Sequence, residues 1–364
     1  MAHLKPALLL ATVALLACGV ASTASAAKPP GKHKTPKLKP RETPAAVLYA
    51  SRPDAMQIAD DIAQRRDLDR AWVRQAIGQA RYLPQIGRWI LPAATGATKN
   101  WRIYRSRFID PVRIAAGVSF WQANAATLER AEREYGVPAE IIVGIIGIET
   151  IYGRDTGNFR VMDALATLSF DFPAAHPRAR ERREFFLGEL EQLLSLAQRS
   201  GVNPLDFRGS YAGAMGMPQF MPSSWIKYAI DFDGDGQIDL AGSSADVIGS
   251  VANYFKVFGW QRGLPAYYPV RFDKTRLDLD ALLAPDILPT FSVASFAAKG
   301  ALLDGDGAQA EGPLALVELQ NGNAEPTYVA GTGNFYAITR YNWSSYYAMA
   351  VIELGREVAA ARAR

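Results

Sequence analysis

The stretch Val137–Gly153, VPAEIIVGIIGIETIYG, constrains this chain more than any other. Pro138 suits the first position of a helix, Glu140 falls in the first turn, and Gly153 stands where a helix commonly stops. Ile141, Ile142, Val143, Ile145, Ile146, Ile148 and Ile151 point around the whole circumference, so the predicted helix is buried rather than amphipathic. Gly144 and Gly147 each cost about 1 kcal/mol relative to alanine in a helix, which predicts that another backbone approaches closely there. Glu149 is the residue that does not belong in such surroundings. Burial penalises its charged form, and its place at the negative end of the helix dipole acts the same way, so its pKa is expected to rise. A carboxyl that keeps its proton near neutral pH is a general acid. The competing reading is a glutamate neutralised by an internal arginine, or one that reaches the surface.

Helical spacing recurs in Asp54–Arg65, Asp69–Arg81 and Pro111–Tyr135, with Pro84 and Pro92 breaking the segment between the last two. Further helices are predicted near Met162–Leu168, from about Arg178 to Arg199, near Ser224–Ala229 and over Ser244–Gly259. From Gln261 the texture changes. Tyr267–Phe272, Leu314–Leu319, Thr327–Ala330 and Phe335–Arg340 read as short strands, with Gln320-Asn321-Gly322-Asn323 as a hairpin turn. Tyr346–Ala361 returns to a helical pattern. The expected organisation is therefore a helical region over residues 46–260, a small mixed β lobe over 261–341 and a C-terminal helix in 342–364 that rejoins the main body.

The start of the chain reads as an export signal over residues 1–26, with His3 and Lys5 before an apolar run and an A-x-A cleavage site at Ala24-Ser25-Ala26. An alternative ends the signal at residue 17, because Leu15-Leu16-Ala17-Cys18 resembles a bacterial lipoprotein box that would anchor Cys18 in the outer membrane. Residues 27–45 form a Lys/Pro-rich tether, disordered by composition. Residues 1–41 hold seven of the 40 Lys/Arg and no acid, which leaves 33 basic against 36 acidic residues in the body. The basic excess thus belongs to the tail, and a nucleic-acid-binding body is excluded.

An acidic loop is the second sharp signal. Asp231, Asp233 and Asp235 occupy positions 1, 3 and 5 of an EF-hand-type loop, with Gly236 at the turn, Gln237 at 7 and Asp239 at 9. Position 12 is Gly242 instead of the usual glutamate. Three aspartates this close repel one another without a cation, so the spacing points to structural Ca2+. The second DGDG, Asp304–Gly307, lacks flanking acids and reads as a surface turn.

Seven stretches in order carry a resemblance: VPAEIIVGIIGIETIYGR, DALATLSFDFP, RREFFLGELEQLL, GSYAGAMGMPQFMPSSW, DFDGDGQIDL, ADVIGSVANYFKVFGW and NFYAITRYNWSSYYAMAVIELG. On these the chain, over roughly residues 50–361, resembles the lytic murein transglycosylase B family, periplasmic enzymes with a lysozyme-like core. The resemblance implies a mainly α fold: a lysozyme-like helical core, an N-terminal helical region and a small mixed β lobe near the C-terminus. It implies a single catalytic acid/base, Glu149, that cleaves the MurNAc-β-1,4-GlcNAc bond of peptidoglycan and leaves a 1,6-anhydro-MurNAc end. No cofactor is expected for that step. Ser210 and Gln219 would contact the sugar beside Glu149, with Tyr104, Tyr254, Tyr341 and Tyr347 as further contacts and Arg182 and Arg183 near the stem-peptide carboxylates. Met215, Met217, Phe220 and Met221 read as ordinary core. The family's metal loop closes on a later aspartate, here Asp246. The implied setting is the periplasm, soluble or held to the outer membrane, as a monomer acting on glycan strands. A hydrolytic muramidase and a non-catalytic wall-binding scaffold are the rival readings.

Overall fold

The structure, a computed structural model, describes residues 47–92 and 99–364. The expected signal, the tether and Cys18 lie outside the described residues. The described N-terminal part is helical: α1 (Pro53–Arg66), α2 (Arg70–Gly78), α3 (Pro84–Trp89) and α4 (Trp101–Ser106). Prolines open α1 and α3, where their missing N–H has no partner to lose. The segment expected as one helix over Pro111–Tyr135 is two, α5 (Pro111–Ala123) and α6 (Ala125–Tyr135). They are divided at Asn124, whose side chain donates to the Phe120 carbonyl at 2.8 Å.

The buried helix is α7 (Ala139–Thr150), with Pro138 as its N-cap instead of its first helical residue. It ends three residues before Gly153, and Ile151 and Tyr152 both take left-handed φ, 52° and 58°. For a β-branched residue such as Ile151 this is a strained conformation, held in place by what surrounds it. Strand β1 (Phe159–Arg160) leads into α8 (Val161–Phe170) and the long α9 (Ala179–Ser200), and β2 (Arg208–Gly209) returns antiparallel to β1. Then follow α10 (Pro222–Tyr228) and α11 (Ser244–Val257).

The C-terminal third contains β3 (Tyr267–Pro269), β4 (Arg271–Phe272), α12 (Leu279–Leu283), α13 (Val293–Ala298), β5 (Ala301–Leu302), β6 (Ala315–Asn321) and β7 (Ala324–Gly331). The order β3-β7-β6 is antiparallel, and β6 turns into β7 at Gly322, whose φ of 68° suits the tight hairpin. Phe335–Arg340, expected as a strand, is instead helical in α14 (Gly333–Thr339). Its aromatic and β-branched composition favours a strand locally. Tertiary contacts decide otherwise. The Thr332 hydroxyl caps the Asn334 N–H at 3.1 Å, and the buried Asn334 amide donates to the Gln261 and Leu264 carbonyls at 2.8 and 2.6 Å. The last helix is α15 (Ser345–Arg362).

The principal core surrounds α7 and draws on α5, α6, α11, α14, α15 and the inner faces of β6 and β7. A second core joins α1 and α2 to α8 and α9, and a third fills the β lobe around Leu282, Phe296 and Leu316. Helices α7 and α15 meet backbone to backbone. A Cβ on Gly144 would overlap the Val351 carbonyl, and one on Gly355 would overlap the Glu140 carbonyl. At Gly147 the close neighbours are side chains, Tyr152 and Leu354, instead of the backbone that the glycine suggested.

Candidate active site

The last turn of α7 opens onto a cleft of about 640 Å³ whose wall includes Glu149, Ser210, Gln219, Tyr254, Tyr341 and Arg340. Glu149 itself is 9% exposed, which leaves its carboxyl at the floor of the cleft and out of bulk water. Burial pushes its pKa up from 4.5 to about 7, while the hydrogen bond from Tyr347 pulls the other way. That bond runs from the Tyr347 hydroxyl to Glu149 Oε1 at 2.5 Å. Neither rival expectation for an isolated helical glutamate is met, because no lysine or arginine pairs with Glu149 among the described residues and it does not reach the surface.

The Gly/Met-rich segment forms the adjoining wall through loops that pair with themselves. Ser210 N–H donates to the Ala214 carbonyl at 2.8 Å, and Met215 and Phe220 exchange backbone bonds at 2.9 and 3.0 Å. Small residues are required: a Cβ on Gly209 would overlap the Ala214 carbonyl. The Ser210 hydroxyl accepts from Ala214 N–H at 3.1 Å, which leaves its own proton to give. Gln219, at φ 51°, donates its amide to the Thr156 and Gly216 carbonyls at 3.1 and 2.9 Å. The Thr150 hydroxyl donates to the Met217 carbonyl at 2.8 Å and so ties the end of α7 to this wall. Met215, Phe220 and Met221 are buried, as core residues should be, although Phe220 and Met221 also reach the cleft.

The aromatic and basic candidates separate into two groups. Tyr254 and Tyr341 line the cleft, and their hydroxyls are spent on the Arg340 and Pro218 carbonyls, each at 2.6 Å, so a ligand meets their rings. Tyr347, expected as a sugar contact, is 1% exposed and lies behind Glu149, with Tyr341 stacked on it at 6.4 Å. Burial raises its phenol well above 10, so it stays a donor at any working pH. Tyr104 packs against Trp101, Phe108 and Tyr346 and borders a neighbouring cavity instead of the cleft, although Glu149 adds to burial in raising its phenol to about 12. Arg182 is buried with its guanidinium near the Phe185 and Phe186 rings, and Arg183 donates to the Ser169 carbonyl at 2.8 Å. Neither arginine is part of the cleft wall, to which this part of α9 contributes Glu181, Glu184 and Phe185 instead. Among the charged cleft groups that the sequence did not mark as site residues are Glu189 and Arg340, and Asp155, close to Glu149 in the chain but without a role assigned from sequence, lines the cleft as well. Glu189 is buried, raised by that burial, and accepts from the Ser223 N–H and hydroxyl at 2.9 and 2.6 Å. No local pattern marks it, because its partner Ser223 lies 34 positions away on another helix.

Beyond the cleft, the acidic loop brings one carboxylate oxygen each of Asp231, Asp233 and Asp246 within 4.8 Å of one another. Asp246 projects from the first turn of α11, is 1% exposed and accepts from Phe232 and Asp239 N–H, both at 2.8 Å. No basic side chain pairs with these three among the described residues, so the donor set suits a hard divalent cation. Asp235 accepts from Gln237 N–H and Asp239 from Ala241 and Gly242 N–H, much as Asp231 accepts from Gly234 and Gly236 N–H. Neither Asp235 nor Asp239 belongs to the three-carboxylate cluster. The DGDG at Asp304, expected as a surface turn, leads into a short 3-10 helix, Gly305–Gln309, with Asp304 exposed and paired with Arg271 at 2.7 Å.

Fold and site together define a mainly helical, lysozyme-like protein with the buried carboxyl of Glu149 at the floor of a groove. The transglycosylase SLT domain family matches residues 50–356. The membrane-bound lytic murein transglycosylase B of Escherichia coli (strain K12) is 40% identical over 333 residues, covering 86% of this chain and 85% of the relative. Among solved structures, the soluble lytic transglycosylase SltB1 of Pseudomonas aeruginosa is 41% identical with a TM-score of 0.75, covering 86% of this chain and 100% of that one. Escherichia coli lytic transglycosylase Slt35 in complex with calcium is 39% identical with a TM-score of 0.74, covering 90% of this chain and 100% of that one. The chain belongs to this family, that of the lytic transglycosylases. None of the described helices is long and apolar enough to cross a membrane.

Proposed function

We propose that this enzyme cleaves the MurNAc-β-1,4-GlcNAc bond of peptidoglycan and closes the MurNAc product into a 1,6-anhydro ring, with Glu149 as its one acid and base. The observation that carries this reading is the carboxyl of Glu149, buried at the cleft floor with its pKa pushed up to about 7 and, among the described residues, without a cation paired to it. In the first step the protonated Glu149 gives its proton to the glycosidic oxygen, the C1–O4 bond breaks, and GlcNAc leaves with a hydroxyl. The neighbouring 2-acetamido group of the MurNAc stabilises C1, and Ser210, with a proton to give, is placed on the wall to steady it. In the second step the Glu149 carboxylate takes the O6 proton as O6 bonds to C1, which restores the acid. A group with a pKa near the working pH serves both steps. Tyr347 supports the pair by holding Oε1 in one place and by favouring the carboxylate between the steps.

Hydrolysis is the second reading, favoured by one observation: Asp155 also lines the cleft and is a carboxylate that could hold water. Mass spectrometry of digested sacculi separates the two. Anhydro-muropeptides from the wild type, none from Glu149→Gln and undiminished cleavage by Asp155→Asn are the outcome expected; reducing ends throughout, with Asp155→Asn inactive, would replace transglycosylation by hydrolysis. Structural Ca2+ on Asp231, Asp233 and Asp246 would pin the loop that follows the cleft wall, a reading supported by the relative solved with calcium. The membrane-bound relative and the signal expected at the start of the chain support a periplasmic setting, and a monomer suffices, since one chain lines the cleft.

A further inference from the structure

We propose that Arg340 is the residue by which the cleft recognises a carboxylate of its glycan substrate, and so sets its preference for muramyl over neutral sugars. Arg340 lines the same cleft as Glu149 and is half-buried. Three rings surround its guanidinium: Phe258 and Trp343, each with its centroid 5.5 Å away, and Tyr336 at 5.9 Å. Its backbone is fixed as well, because its carbonyl accepts from Tyr254. A guanidinium packed among aromatic faces loses little freedom when it meets an anion, and its planar fork suits a carboxylate.

The other cleft cations differ from it. Arg66 pairs with Glu191 at 3.1 Å, and Lys227, a flexible ammonium without the planar fork, stands in the field of the buried Glu189. No Asp or Glu among the described residues comes within ion-pair distance of Arg340. A positioned, half-buried cation without an acid of its own, in a groove that takes a strand, is complementary to a substrate anion. Peptidoglycan offers two, the lactyl carboxylate of an unsubstituted MurNAc and the carboxylates of its stem peptide.

The inference rests on the cleft being the glycan site, and the test keeps the two apart. Wild type, Arg340→Gln and Arg340→Lys are assayed on stem-bearing strands and on strands stripped of peptide by an amidase, and their affinity for a neutral GlcNAc oligomer is measured alongside. For Arg340→Gln, KM should rise about tenfold on at least one charged substrate while kcat changes less than twofold and GlcNAc-oligomer affinity holds. A rise on stem-bearing strands assigns the peptide carboxylate, and one on stripped strands assigns the lactyl group. Arg340→Lys keeps the charge without the fork and should fall between; it also carries the test if the glutamine variant does not fold. Unchanged KM on both, or an equal loss on charged and neutral ligands, overturns the proposal. A wild type that cleaves no peptidoglycan would instead overturn the reading of the cleft.

Discussion

Glu149→Gln should make this protein inactive and, at alkaline pH, more stable. Folding keeps the Glu149 carboxyl protonated up to about pH 7, whereas the unfolded chain releases that proton near its ordinary value of 4.5. Between those values the folded state binds more protons than the unfolded one, so this group's contribution to stability falls as pH rises and levels off above 7. At about 1.4 kcal/mol per pKa unit, the shift corresponds to about 3 kcal/mol lost between pH 4 and pH 8. Glutamine has nearly the same shape, still accepts from Tyr347, and has no proton to lose. Every other titrating group is shared by the two proteins and cancels in the comparison. The variant should therefore gain about 3 kcal/mol on the wild type between pH 4 and pH 8, or roughly 5 °C in melting temperature for a chain of this size. Urea unfolding followed by circular dichroism at both pH values measures the difference without any substrate. A difference that is the same at pH 4 and pH 8 would refute the claim that burial controls this carboxyl, and a wild type that gains on the variant as pH rises would reverse its sign.

Tyr347→Phe removes the donor that favours the ionised Glu149, so the alkaline limb of kcat/KM on sacculi should move up by about one pH unit; a limb that stays in place or moves down counts against the assignment. Chelation should lower the melting temperature and Ca2+ restore it, with about 3 kcal/mol regained at a hundredfold excess over Kd; Asp246→Asn should abolish that response, and a variant that still responds removes Asp246 from the ligands. Gly355→Ala should destabilise by about 2 kcal/mol because its Cβ would meet the Glu140 carbonyl, whereas Gly87→Ala, with open space around it, should stabilise by about 0.5 kcal/mol. Calorimetry of the two variants checks both signs.

The run of isoleucines in α7 was sufficient to place that helix at the centre, and with it an acid, Glu149, held out of water. The 1-3-5 spacing of aspartates likewise marked an acidic loop, because both signals are properties of a few consecutive residues, although only Asp231 and Asp233 of the three join Asp246 in one cluster. Chain order alone could not say which side chains would surround them. Tyr347, 198 positions from Glu149, becomes its hydrogen-bond donor only because α15 packs along α7 through Gly144 and Gly355. The same docking leaves Tyr347 no face for a sugar. Strand-like composition at Phe335–Ile338 yielded to the cap at Thr332 and the bonds of Asn334, since contacts with residues some 70 positions away outweigh local propensity. Arg182 and Arg183 were as charged as Arg340, yet packing on α9 turned them from the cleft and the turn after α14 set Arg340 in it. Sequence thus determined what each segment had to bury and which groups resisted burial. The tertiary structure decided what those groups would face, because the partners come from distant elements whose approach is set by shape.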